Sequence, residues 1–377
     1  NRINNSGTQV LTYQSTGHLP SLADSNYIGV IARVASDNVF GDSDGRYYYA
    51  SGTDSGWRGF KTTQDSADAL IEAPAAGGGG ATDTIRLGAT AGYVMGGGGT
   101  KADETTEKFL FAAGTSAAGS AISGLTGHAG GRYLAAATQS NTHSYHSGGY
   151  GPPPSPGVKD AITKFPFAAE DAYTDVGNLT SVKAYIKGTS SPTHGYAHGG
   201  FPPASNVIQK FSTSSDGDAT DVGDTTSAVY GAGGAQSEDY GYVVGGWDLT
   251  SGNRIQKYSF ASDGNATAVG NTSIGPILYY NGNNGQSTTH GYHIGGSVPA
   301  GVKNDIAKFA FASDGDATDV GDLTQAKHET SHHSATDGYI YTTGGSPPGP
   351  TGLNTIERHA YGSDGNAVDC GDLAAAT

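Results

Sequence analysis

Ile306-Ala-Lys-Phe-Ala-Phe-Ala-Ser-Asp-Gly-Asp-Ala-Thr-Asp-Val-Gly-Asp-Leu-Thr324 reads as an extended segment, a break and a second extended segment. Apolar and polar residues alternate from Ile306 to Phe311, Asp314-Gly315 interrupts, and Val320 lies in the second short run. Such a pattern predicts a β-hairpin. Asp-Gly suits a tight turn because both residues tolerate positive φ. The same dipeptide returns at Asp216-Gly217, Asp263-Gly264 and Asp364-Gly365.

Working outward, Tyr292 stands three residues ahead of Gly295-Gly296. The same arrangement occurs at Tyr93, Tyr145, Tyr196, Tyr242 and Tyr341, and in altered form at Tyr48 before Ser51-Gly52. The first members of the seven pairs lie 45, 52, 51, 46, 50 and 49 residues apart. A period near fifty means one supersecondary unit repeated, each copy burying its faces against its neighbours. Phe60, Phe109, Phe165, Phe211, Tyr258, Phe309 and His359 align as a third strand, and Val176, Val222, Val269 and Val320 as a fourth. Cys370 takes the valine place in the last copy, so it reads as a small buried hydrophobe.

With an extended segment ahead of each tyrosine, every copy supplies four antiparallel strands. The predicted fold is all-β: a seven-bladed β-propeller over residues 24–377, preceded by a short N-terminal arm, residues 1–23. The β-prone stretch Thr8-Gln-Val-Leu-Thr-Tyr13 fits two roles, a strand that closes the ring or an arm that docks to a neighbouring subunit.

Composition narrows the partners. The 377 residues carry 35 acidic against 20 basic groups, a net charge of -15. No basic patch offers itself to nucleic acid or anionic lipid. No apolar run reaches membrane-spanning length, so no membrane insertion is expected. A single cysteine rules out an internal disulfide framework.

The tyrosine strand, Gly-Gly, a variable loop and a strand such as Ile255-Gln-Lys-Tyr258 together resemble the kelch repeat of galactose-oxidase-type propellers. The resemblance spans about residues 28–373. It departs in the fourth strand, where kelch repeats place a tryptophan and this chain has Ala-Thr-Asp-Val-Gly-Asp-Leu. That variant is similar to repeats of virion and tail proteins of tailed phages, marine cyanophages among them. The resemblance implies an extracellular virion location, other virion subunits as partners in an oligomeric assembly, and contact with a host-surface glycan or protein. A secreted or cell-surface lectin-like or scaffold propeller of a bacterium is the alternative. Oxidase chemistry does not carry over, because Cys370 sits at a core position; no cofactor is expected.

Three groups of side chains are candidates for function. Tyr150, Phe201 and Trp247 directly follow Gly-Gly in consecutive copies, where long irregular loops begin, those after Tyr150 and Phe201 containing proline. Exposed aromatics there fit sugar stacking or a protein interface. His143, His194 and His290 sit five residues ahead of their glycine pairs, as a ring of imidazoles for a transition metal would. Asp216, Asp218, Asp314 and Asp316 have the spacing of calcium ligands, but no glutamate closes the loop at its twelfth position. Acids on an outer strand also discourage edge-to-edge pairing. An acid repeated in copy after copy is structural before it is catalytic, which points to a protein that is not an enzyme.

Overall fold

The computed structural model describes residues 2–3, 9–13, 31–34, 46–50, 57–60, 70–71, 87–95, 105–111, 117–123, 125, 132–151, 156–247, 252–275, 285–349 and 352–376. They are all-β, with no α-helix among them. The chain divides into two compact units, Asn1–Thr82 and Asp83–Thr377. The first holds a six-stranded sheet in which Gln9–Tyr13 pairs antiparallel with Arg2–Ile3 and parallel with Ile31–Val34. The expected boundary at residues 23 and 24 lies outside the described residues.

The second unit is a β-propeller of six blades. Blade I contributes Ala91–Met95, Thr106–Leu110 and Ser120–Ala121 to the described strands. Blades II to VI are four-stranded and antiparallel, each in chain order. Their first strands are Ala136–Gln139, Lys187–Ser190, Gly233–Gln236, Gly285–Gln286 and Ser331–Ser334. Their last strands are Thr174–Asn178, Thr220–Val229, Thr267–Asn271, Thr318–Asp322 and Val368–Asp372.

Each blade joins the next through one repeated aromatic contact. The tyrosine of one blade meets the third-strand ring of its successor: Tyr93 with Phe165, Tyr145 with Phe211, Tyr196 with Tyr258, Tyr242 with Phe309 and Tyr292 with His359, at 5.3–5.5 Å between centroids. Tyr341 of blade VI meets Phe109 of blade I at 5.6 Å in the same way. The seven copies therefore resolve into six blades, and the ring closes from the last copy onto the Tyr93 copy. The strand Arg46–Ala50 that carries Tyr48 belongs to the six-stranded sheet of the first unit. Buried tyrosine also satisfies its hydroxyl across the seam: Tyr145 donates to Thr213 O at 3.0 Å and Tyr341 to Phe111 O at 2.8 Å.

The glycine signatures have geometric causes. After the tyrosine strands of blades II to VI the chain takes two successive left-handed residues, such as Gly245 (φ 62°) and Gly246 (φ 99°), and only glycine does so without strain. In the Asp-Val-Gly-Asp strand the glycine sits at a β-bulge opposite a third-strand isoleucine, Gly223 against Ile208 and Gly321 against Ile306. There the next blade's backbone passes so close that a Cβ on Gly223 would lie 2.2 Å from the carbonyl oxygen of Gly264. Asp175, Asp221, Asp319 and Asp369 accept the bulged glycine's N–H at 3.0–3.2 Å.

Asp-Gly is not the tight hairpin turn expected of it. Strands end at Ala310 and resume at Thr318, so Asp314-Gly315 lies within a longer connection that reaches the preceding blade. Its backbone bonds to the outer strand there, as Ala219 N to Asn178 O, Ala266 N to Asp224 O, Ala317 N to Asn271 O and Ala367 N to Asp322 O at 2.7–2.8 Å. At the closing seam Gly119 N bonds Asp372 O at 2.8 Å, and Ala117–Ala118 pairs parallel with Val368–Asp372. Outer edges are thus covered by the following blade, which removes the need for acids as edge protection.

Candidate functional site

The candidate metal acids have structural partners. Asp216 and Asp314 bind Lys164 and Lys257 of the preceding blade at 2.5 and 2.6 Å. Lys210 with Asp263 and Lys308 with Asp364 repeat the pair at 2.5 Å, and Lys108 with Glu170 supplies it between blades I and II. Asp218 and Asp316 accept the backbone N–H of Asn178 and Asn271 at 2.8 and 2.9 Å. These four aspartates are clasps between blades.

His143, His194 and His290 stand at different seams. Each places Nδ1 2.8–2.9 Å from the hydroxyl of the threonine before it. Burial and the neighbouring lysine lower each imidazole's pKa. Among the described residues no three His, Cys, Asp or Glu side chains gather as a metal would need. Burial pushes the Cys370 thiol up to about 11, and its Sγ donates to Ile356 O at 3.2 Å, so it is a core group as read.

The aromatic candidates are brought together in part. After Gly-Gly the chain turns back and bridges the residue that leads into its own first strand: Tyr150 with Tyr133, Phe201 with Ala184, Trp247 with Tyr230, Ser346 with His328. The variable loops and the entries to the innermost strands therefore share one face. On it Phe201 and Trp247 meet through Tyr230, at 5.2 and 5.9 Å, the latter pair stacked at 19°. Tyr185 approaches Tyr230 edge-on at 6.0 Å, so the cluster spans blades III and IV. Tyr150 stands apart, paired with Tyr133 at 5.4 Å in blade II. Phe201 is 41% exposed, while Tyr185, Tyr230 and Trp247 are half-buried.

The residue after the bridged position is left-handed as a feature of the repeat: Leu134, Tyr185 and Glu329 have φ of 59°, 53° and 58°, and Gly231 in blade IV has 62°. In blade III this turn sets the Tyr185 ring beside Tyr230. Lys183 Nζ donates to the carbonyls of Pro202 and Pro203 at 3.2 and 3.0 Å, tying down the loop that carries Phe201. Tyr133, Tyr185 and Tyr230 were not singled out from sequence. Their signal is an aromatic at the residue that the post-glycine residue bridges (Tyr133, Tyr230) or one position after it (Tyr185), and that pairing is visible only in three dimensions.

A shallow cavity of about 240 Å³ lined by Thr105, Ala121, Ile122, Ser123 and Leu125 in blade I offers no titratable side chain. No protein-family model matches this sequence, and no curated protein matches it.

Proposed function

We propose that this chain is a non-catalytic binding propeller that recognises a surface through the post-glycine loop face of blades III and IV. One observation carries this: the repeated acids are consumed by clasps between blades, whereas the aromatic cluster of Tyr185, Phe201, Tyr230 and Trp247 answers no requirement of the repeat. The equivalent places in blade VI are His328 and Ser346, so a propeller stands without these rings. Aromatic anchors on rigid loops are the usual energetic centres of recognition surfaces.

The kelch-like repeat, in the variant similar to those of tailed-phage virion proteins, supports a place in an extracellular particle. There the propeller faces the host surface, and residues 1–23 or the sheet around them serve subunit assembly. A bacterial secreted or scaffold propeller is the alternative. The test is binding of the full chain to glycan arrays and to intact bacterial cells, beside Trp247→Ala. Loss of at least ten-fold in apparent affinity is expected, and unchanged binding overturns the assignment of this face. Removal of residues 1–23 with undiminished assembly would sink the assembly role.

A further inference from the structure

We propose that the seam of blades III and IV holds a subsite for a carboxylate-bearing sugar residue. Lys187 and His198 receive the carboxylate, and the rings of Tyr185, Phe201, Tyr230 and Trp247 take the apolar face of the sugar. This rests on the surface-recognition reading above and adds the ligand class.

Lys187 and His198 are directly opposite in the register of the first two strands of blade III. Residues so paired project from the same face of a sheet. His198 is 1% exposed, yet neither ring nitrogen has a hydrogen-bond partner. The same position is Ser147 in blade II, Val244 in blade IV, Ile294 in blade V and Thr343 in blade VI, all buried and all smaller than histidine. The fold therefore takes a small polar or apolar side chain there, and an imidazole buried without a hydrogen-bond partner works against stability. Lys187 is a second exception, since Ala136, Gly233 and Ser331 hold its place in blades II, IV and VI. Both departures from the repeat fall in one cross-strand pair, in the blade that also carries Tyr185 and Phe201.

The electrostatics fit an anionic ligand. Burial lowers the Lys187 ammonium to about 8, with Glu329 the charge opposing that shift. Burial takes His198 to about 3, and the charge of Lys187 adds to the effect. Glu329 is exposed, accepts a bond from Ser346 at 3.3 Å and lies 3.8 Å from His328, so its charge is shared and screened. A carboxylate entering beside Lys187 supplies a close counter-charge and an acceptor for one imidazole N–H.

Tyr185 precedes Lys187 by two residues and Phe201 follows His198 by three. At no more than about 3.6 Å per residue, the residues that carry these rings lie within roughly 7–11 Å of the charged pair. A ligand that uses both needs a carboxylate attached to a flat, partly apolar ring. An aspartate or glutamate of a peptide has the acid without the ring.

The chain has two tryptophans, so in a Trp57→Phe background the fluorescence of Trp247 reports on the site. Titration with glucuronic acid, glucose and tetraglutamate is the experiment. Saturable binding of glucuronic acid at least ten-fold tighter than glucose is expected, with no response to the peptide. Lys187→Met, which keeps the aliphatic stem and removes the charge, should equalise the two sugars while leaving glucose binding in place. Equal affinity for both sugars in the parent chain, or an unchanged preference in Lys187→Met, overturns the carboxylate subsite. Binding of tetraglutamate as tight as glucuronic acid overturns the sugar in favour of a protein partner. If no probe binds but Trp247→Ala still abolishes attachment to cells, the ligand class is wrong and the recognition face stands.

Discussion

The seam between blades IV and V and the seam that closes the ring, VI to I, are built from the same parts with one omission. Both have the tyrosine-to-ring contact, Tyr242 with Phe309 at 5.3 Å and Tyr341 with Phe109 at 5.6 Å. Both have the backbone bond to the outer strand, from Ala317 and from Gly119. The IV–V seam adds the Lys257–Asp314 pair. At the closing seam Arg358 takes the lysine place and lies over the Tyr339 ring of its own blade at 4.3 Å. A ring contact and a backbone bond are thus sufficient to make a seam, and the ion pair is an addition.

The largest expected effect tests whether the closing seam is a true equivalent. Tyr341→Ala removes a fully buried ring packed on Phe109 and Phe111 and should cost about 3–5 kcal/mol in urea unfolding. Tyr242→Ala should cost the same within about 1 kcal/mol, given the similar mutational class and burial. A much smaller loss for Tyr341→Ala would break the comparison and with it the six-bladed closure.

The V–VI seam sharpens it from the polar side. Lys327 and Glu357 are fully buried, 2.8 Å apart, and Glu357 also accepts from Thr324 of blade V. In seams II–III and III–IV neutral Gln209 and Gln256 accept from the matching threonines. Lys327→Met leaves Glu357 buried without its counter-charge, at an expected cost of about 3–5 kcal/mol. Lys327→Met with Glu357→Gln copies the neutral seams and should recover most of that loss.

Acid should act unevenly around the ring. Burial holds His293 near 3 and His333 and His359 near 4, and lowers His332 well below its usual value, while blade IV has no histidine. Unfolded, these imidazoles bind protons near 6.5; folded, they stay neutral to lower pH. Below about pH 6.5 the unfolded chain therefore takes up more protons, and stability falls as pH falls. At least about 2 kcal/mol should disappear between pH 7 and 5. Hydrogen exchange at pH 5 should quicken in blades V and VI before blade IV, and uniform quickening would refute the local cause.

How much of this was legible in sequence follows from the range of each interaction. Strand type and blade unit were readable because alternation and the Gly-Gly signal are local to each copy. The number of blades in the ring was not, because Phe60 and Phe109 fill the same column and only packing chooses Phe109 as the partner of Tyr341. Phe201 and Trp247 were readable from their place after Gly-Gly. Tyr230, which joins them, stands in a column with Tyr133, Ala184 and His328, and nothing local marks it. The aspartates misled for the same reason: Asp216 finds Lys164 52 residues away, in another blade.

The smallest expected effect is that of the added ion pair itself. Lys257→Met removes the partner of Asp314, whose side chain is 52% exposed. An exposed pair gains little, because solvent already serves both charges. The lysine's stem also stays over the Tyr240 ring in the methionine variant, so packing is retained. A loss below about 1 kcal/mol is therefore expected, shrinking further in high salt. A loss as large as that of Tyr242→Ala would mean that the pair sets the seam. The closing seam, with Arg358 turned onto its own blade, would then be the weak point of the ring and the place where it opens first.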